Sequence, residues 1–133
     1  MLFRGLLWSF LLLSSLSVRA ALPLTPFERS ATYTLPNSTE VSAYLHQLTQ
    51  QSSQASVLSL GRSAGGRPID ALLLSHDAAF LKNGQPETHR PTVMLIGSQH
   101  GNEPSGTEAV QILVRQVLDG DQQHLLDKMN FIA

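Results

Sequence analysis

A histidine and a glutamate three residues apart, His100 and Glu103, stand in the turn Gly97-Ser98-Gln99-His100-Gly101-Asn102-Glu103-Pro104. An imidazole nitrogen and a carboxylate oxygen are both donors that a divalent zinc takes, and on a tight turn the side chains of a His-x-x-Glu pair can converge on one point. Gly101 between them has no β-carbon, so the backbone there can bend sharply and approach an ion closely. Pro104 has no backbone donor to lose and suits the first turn of a helix. The turn therefore reads as half of a metal site. His-x-x-Glu by itself recurs by chance, and a lone histidine at a strand end commonly serves as a hydrogen-bonded structural residue. The elements around the pair separate the two readings.

Before the turn, Val93-Met94-Leu95-Ile96 lies between Pro91 and Gly97 and predicts a buried strand, whose end in an open α/β sheet is where such folds place ligands. After it, a helix is expected from Pro104 through Asp119, burying Ala109, Val110, Leu113, Val114 and Val117 and stopped by Gly120. Glu108 and Arg115 fall on its polar side. Upstream, Asn37, Ser38 or Thr39 can cap a helix whose apolar face is Val41, Tyr44, Leu45 and Leu48, with Gln47, Gln50 and Gln51 solvated and His46 on the surface. Val57–Leu60 and Ile69–Leu74 predict a hairpin, with Gly65-Gly66 in its connection and Pro68 restricting the start of the second strand. That connection lacks the Gly-Lys-Ser/Thr of a phosphate loop and the Gly-x-Gly-x-x-Gly of a dinucleotide fold. Residues 21–36, with Pro23, Pro26 and Pro36, read as an extended lead-in, and residues 76–91 as a surface loop. His76 and His89 in that loop have no second ligand at a recognisable spacing. Residues 121–128 suit a short helical turn, and residues 129–133 suit the opening of another strand, so the sheet is expected to be unfinished and the chain truncated.

Across 133 residues, 42% hydrophobic and 14% charged, the composition fits one globular domain and not a disordered chain. Residues 1–20 separate from the rest: Arg4, the apolar run Leu6–Leu13, then a Ser-rich stretch ending Val18-Arg19-Ala20. This is the pattern of a secretory signal peptide cleaved after Ala20, too short in its apolar core to span a bilayer. Without it, seven Lys and Arg face ten Asp and Glu, a balance of −3 that gives no electrostatic reason to expect nucleic acid. No cysteine is present, so there is neither a disulfide framework nor a lipid-attachment thiol. The expectation is an exported protein, periplasmic or extracellular, with no stable membrane anchor once the signal is removed.

Two segments together resemble the zinc carboxypeptidases, metallopeptidases that remove C-terminal residues at a His, Glu, His zinc site. Leu60-Gly61-Arg62-Ser63-Ala64-Gly65-Gly66-Arg67-Pro68-Ile69 looks like the family's early hairpin signature, and Gly97 to Pro104 like its zinc-binding turn. The resemblance implies an α/β fold with a mixed β-sheet flanked by helices, Zn2+ as cofactor, His100 and Glu103 as metal ligands, and a peptide or protein substrate. It also implies that residues 21–133 are the N-terminal portion of the catalytic domain. The family's third ligand, general-base glutamate and carboxylate-binding arginine would then lie beyond residue 133, and Glu108, His124 and Arg115 are not recruited to those roles. Zinc amidohydrolases resembling aspartoacylase and succinylglutamate desuccinylase share a His-Gly-Asn-Glu turn and are the alternative, disfavoured by the hairpin signature and the signal peptide. A non-catalytic secreted fragment is the alternative from another class. A serine hydrolase is disfavoured because Gln99 stands where a nucleophile elbow needs serine.

Overall fold

A computed structural model describes residues 21–86 and 89–133, so the expected signal peptide lies outside the described residues. Its centre is a mixed four-stranded sheet with helices against it, in the strand order β1-β2-β4-β3. β1 (Ala55–Arg62) and β2 (Pro68–Leu74) form the expected antiparallel hairpin. The register shifts between Ser59 and Gly61, where Gly61 takes a φ of 126°, a conformation open to glycine and strained for residues with a β-carbon. At the tip, Arg62 donates to the carbonyl of Gly66 at 2.7 Å, and Gly66 has a φ of 75°. β4 (Asn130–Ile132) pairs antiparallel with β2 and parallel with β3 (Thr92–Met94).

The second half of β2, from Ala71 to Leu74, is buried on both faces. Leu72 and Leu74 join Tyr44 and Leu48 of α2 (Ser38–Gln51), Val114, Val117 and Leu118 of α4 (Pro104–Asp119), and Leu126 and Phe131, in the main core. Leu73, on the alternate face, is equally buried but lies outside that cluster. α2 begins as its sequence predicts: Asn37 accepts from the N–H groups of Thr39 and Glu40, while the Glu40 carboxylate accepts from the N–H of Asn37.

Four expectations need correction. The strand before the turn is not buried throughout: only Thr92–Met94 is in the ladder, Val93 and Leu95 pack on the core, and Met94 and Ile96 are 63% and 72% exposed. The reason is position, since β3 is an outer strand and its alternate residues point to an open face. Within residues 76–91 lies α3 (Ala78–Asn83), capped by Asp77, which accepts from the N–H groups of Ala79 and Phe80, and ended by Gly84 at a φ of 76°. α4 has the expected limits, buries Val114 and Val117 and packs Val110 and Leu113 against the core, but it also buries Gln111 and Leu118 and leaves Ala109 exposed. Gly120 ends it in extended backbone, where a β-carbon would stand 2.8 Å from the Cα of Gln116.

The fourth correction concerns the lead-in, which contains α1 (Pro26–Arg29) and is strapped to α4. Thr25 and Glu28 form a capping box, the Thr25 hydroxyl donates to Glu108, and Arg115 donates two hydrogen bonds to the Glu28 carboxylate. Glu108 and Arg115 are therefore fastening residues and not a solvated face. The Arg115 guanidinium, and after it the N–H of Thr25, hold the Glu28 carboxyl at about 2 against an ordinary value of 4.5, with partial burial opposing them. Since the folded value is the lower one, the pair's contribution is complete above about pH 4.5 and drains away as the pH falls toward 2. Solvent screens the pair, so Glu28→Gln is expected to cost about 1 kcal/mol at neutral pH. Urea unfolding should show the gap between wild type and variant shrinking from pH 7 to pH 3, and a constant gap would contradict this coupling.

Candidate functional site

The turn is held by a backbone crossing. Gly97, just past β3, lies so close to the first turn of α4 that a β-carbon on it would stand 2.9 Å from the Cα of Thr107 and 3.1 Å from the carbonyl oxygen of Gly106. The second glycine faces back: a β-carbon on Gly106 would meet the backbone nitrogen of Ser98 at 3.4 Å. Strand exit and helix entry thus touch main chain to main chain. Ser98 follows with a φ of 50°, unusual for a residue with a side chain, and its hydroxyl is hydrogen-bonded to that of Thr107. Such a conformation costs on the order of 1 kcal/mol and persists where its surroundings over-determine it, as they do here.

Past Ser98 the chain doubles back, with the N–H of Glu103 donating to the carbonyl of His100 at 3.0 Å. Glu103 occupies the N-cap of α4 but makes no side-chain cap bond. Its carboxylate is turned to His100 instead, Oε2 lying 3.1 Å from Nδ1, and both side chains are largely exposed, at 62% and 67%. Two donors each about 2.1 Å from one zinc at a tetrahedral angle stand roughly 3.4 Å apart, so this separation suits a shared ion. One imidazole and one carboxylate are also a suitable donor set for zinc. No atom lies within 4 Å of where a β-carbon on Gly101 would sit, and its φ is not positive. Gly101 therefore leaves space beside the pair, while the glycine demanded by close packing is Gly97.

No third His, Cys, Asp or Glu completes a metal-holding group with the pair among the described residues. Of the other histidines, His76 contacts Gln54 at 3.1 Å and Asp127 at 3.4 Å, and His124 contacts the carbonyl of Asp121 at 3.1 Å. Arg115 and Glu108 are committed to the strap.

The sequence profile of the zinc carboxypeptidases matches residues 41–132, from the first turn of α2 to the last residue of β4. The chain belongs to the zinc carboxypeptidase family. Among solved structures, it is similar to carboxypeptidase A from Helicoverpa armigera, with 25% identity and a TM-score of 0.63 over 74% of this chain. It is also similar to a metallo-carboxypeptidase from Burkholderia cenocepacia, with 31% identity and a TM-score of 0.57 over 72% of this chain. The chain spans 23% and 25% of the lengths of those two structures. No curated protein sequence matches it significantly. Its sheet and flanking helices are thus a carboxypeptidase-like fold.

In this zinc carboxypeptidase chain the lead-in, whose prolines suggest only an extended segment, forms one wall of a cleft beside the turn. Phe27, Leu35 and Pro36 of the lead-in border a cleft whose other side includes Ser98, Gly101 and Pro104. The available signal was the Thr25-x-x-Glu28 capping pattern with Pro26 at the first helical position, which predicts structure in that segment.

Proposed function

We propose that the protein is an exported metallocarboxypeptidase in which His100 and Glu103 supply two donors to a zinc that serves hydrolysis of C-terminal peptide bonds. The observation that carries this reading is the 3.1 Å approach of His100 Nδ1 to Glu103 Oε2 on an exposed turn at the end of a parallel strand. Zinc bound there supplies a Lewis acid that polarises the scissile carbonyl and lowers the pKa of a water. The chain's own part is positioning. Nδ1 and Oε2 stand within hydrogen-bond distance of each other, and to hold a metal Nδ1 would present its lone pair to the ion in place of that contact. The Gly97 crossing and the Ser98–Thr107 bond fix where both side chains start.

Peptides or proteins are the substrates in this reading, and nucleic acid has no part in it. Residues 1–20 act as the signal peptide. In support stand the apolar run Leu6–Leu13 after Arg4 and the Val18-Arg19-Ala20 ending; the described fold begins just past that point, where Leu22 is buried and donates its N–H to Asp119 at 3.4 Å. Among the described residues, no helix is long and apolar enough to cross a membrane.

Purified from its source, the protein should release C-terminal residues from peptides in a chelator-sensitive way, and His100→Ala should lower kcat/KM by about 100- to 1,000-fold, the scale of losing a transition-state electrostatic contact. Chelator-resistant release would overturn the reading. The 133-residue chain alone, with no third donor among its described residues, should be inactive on the same peptides.

A further inference from the structure

We propose that the C-terminal end of α4, centred on the Asp119 carboxylate, is a binding site for a primary ammonium, the one that signal-peptide removal creates on Ala21. The inference rests on the reading of residues 1–20 as a signal peptide cleaved after Ala20. Asp119 is the last residue of α4, where the aligned backbone carbonyls already concentrate negative charge. A carboxylate added there is unfavourable for the helix unless a cation joins it, and the last turn of α4 contains no basic residue. Arg115, one turn back, is committed to Glu28 through two hydrogen bonds. The position therefore suits a cation that arrives from outside the helix.

The lead-in brings its own first residues to this point. Leu22 is buried in the main core, and its N–H donates to Asp119 Oδ2 at 3.4 Å. Consecutive backbone nitrogens stand roughly 3–4 Å apart, so rotation about the Ala21 Cα–C bond swings the Ala21 nitrogen toward the same carboxylate without moving Leu22. Ala21 and Leu22 line a cavity of about 160 Å³ together with Arg115, Gln116, Asp119 and Gly120. The charged groups facing it are Asp119 and Arg115, and Glu28 balances Arg115. Before processing, the Ala21 nitrogen is a neutral amide. On hydrolysis the Ala20 carbonyl carbon takes the hydroxyl of a water and the Ala21 nitrogen takes its hydrogen; the new carboxylic acid then loses a proton and the amine gains one. Processing thus adds a charged fastening to the strap, beside the Thr25–Glu108 and Glu28–Arg115 contacts. An ammonium held there has a raised pKa, so its contribution is complete below about pH 8 and is lost as the pH rises past the raised value.

The test uses the exported protein purified from its source, with intact mass fixing the N-terminal residue first. The natural chain is compared with Asp119→Asn, which removes the charge but keeps an acceptor for the Leu22 N–H, and with a chain carrying two glycines inserted between Ala20 and Ala21. The insertion carries the ammonium up to about 7 Å away. Hydrogen exchange of the amides between Leu22 and Glu28 reads the strap, and NMR titration of the methylated terminal amine reads the ammonium. The expected result is exchange about two- to fivefold faster in both variants, the scale of one cation at a helix C-terminus, and an amine that titrates about half a pH unit higher in the natural chain than in either variant. Unchanged exchange and titration in both variants, on protein that begins at Ala21, would overturn the ammonium site and leave the signal-peptide reading standing. Faster exchange in the insertion alone would overturn it too, since the Asp119 charge would then have no part. A mass that includes residues 1–20 would overturn both readings.

Discussion

Phe80→Ala is expected to destabilise the chain by about 3–5 kcal/mol, the range for emptying a fully buried aromatic site. Phe80 is completely buried on a helix of only six residues, Ala78–Asn83, whose own propensity cannot hold it together. The helix therefore depends on this ring, and the ring on the sheet face that carries Leu73. Gly84, which ends the helix, closes the contact: a β-carbon there would meet Leu58 and Leu73 at 3.7 and 3.9 Å. Domains of this size have about 5–15 kcal/mol of total stability, so a large share would be lost. Urea unfolding followed by circular dichroism checks it. A loss under about 1 kcal/mol would mean that α3 is a surface decoration and that this face of the sheet draws its stability elsewhere.

Gly97→Ala is expected to cost about 2–3 kcal/mol, at the upper end of overpacking penalties, because the added methyl meets backbone and not a side chain that can swing aside. The distances to the Thr107 Cα and Gly106 carbonyl are 2.9 and 3.1 Å, so β3 and α4 must move apart. That movement displaces Ser98 and with it the turn, and zinc affinity should fall at least tenfold along with stability. Gly101→Ala is the control, since its methyl meets no atom within 4 Å. Equal stability of the two variants in urea would remove the backbone crossing from the account.

Both substitutions bear on how much could be read from the sequence. The hairpin, α2 and the limits of α4 were legible because local chemistry and tertiary packing agree there: the Asn37 cap, the Gly-rich connection and Pro104 each act within a few residues. The closeness of His100 and Glu103 was legible for the same reason, since both stand on one short turn, while their role as zinc ligands belongs to the proposal. α3 was hidden because six residues are too few to show helical periodicity, although Asp77 and Gly84 mark both of its ends. The strap was hidden because its fastenings are non-local, with Glu28 reaching Arg115 and Thr25 reaching Glu108 across more than eighty positions. Periodicity also fails to say which strand is outermost, so Met94 and Ile96 read as core residues and are exposed. Gly97 and Gly101 look alike in the sequence, and only the approach of α4 distinguishes the glycine that packing requires from the one that leaves open space.

The central claim is that His100 and Glu103 hold one metal ion between them, and the most direct measurement is zinc titration of the intact chain against the two single variants His100→Ala and Glu103→Ala. Both residues are largely exposed, so neither variant should alter the thermal melt by more than a degree or two. The account predicts one zinc per wild-type chain, with affinity at least tenfold weaker in each variant, in keeping with the loss of a direct ligand. Wild-type zinc affinity in both variants, with folding intact, would contradict it.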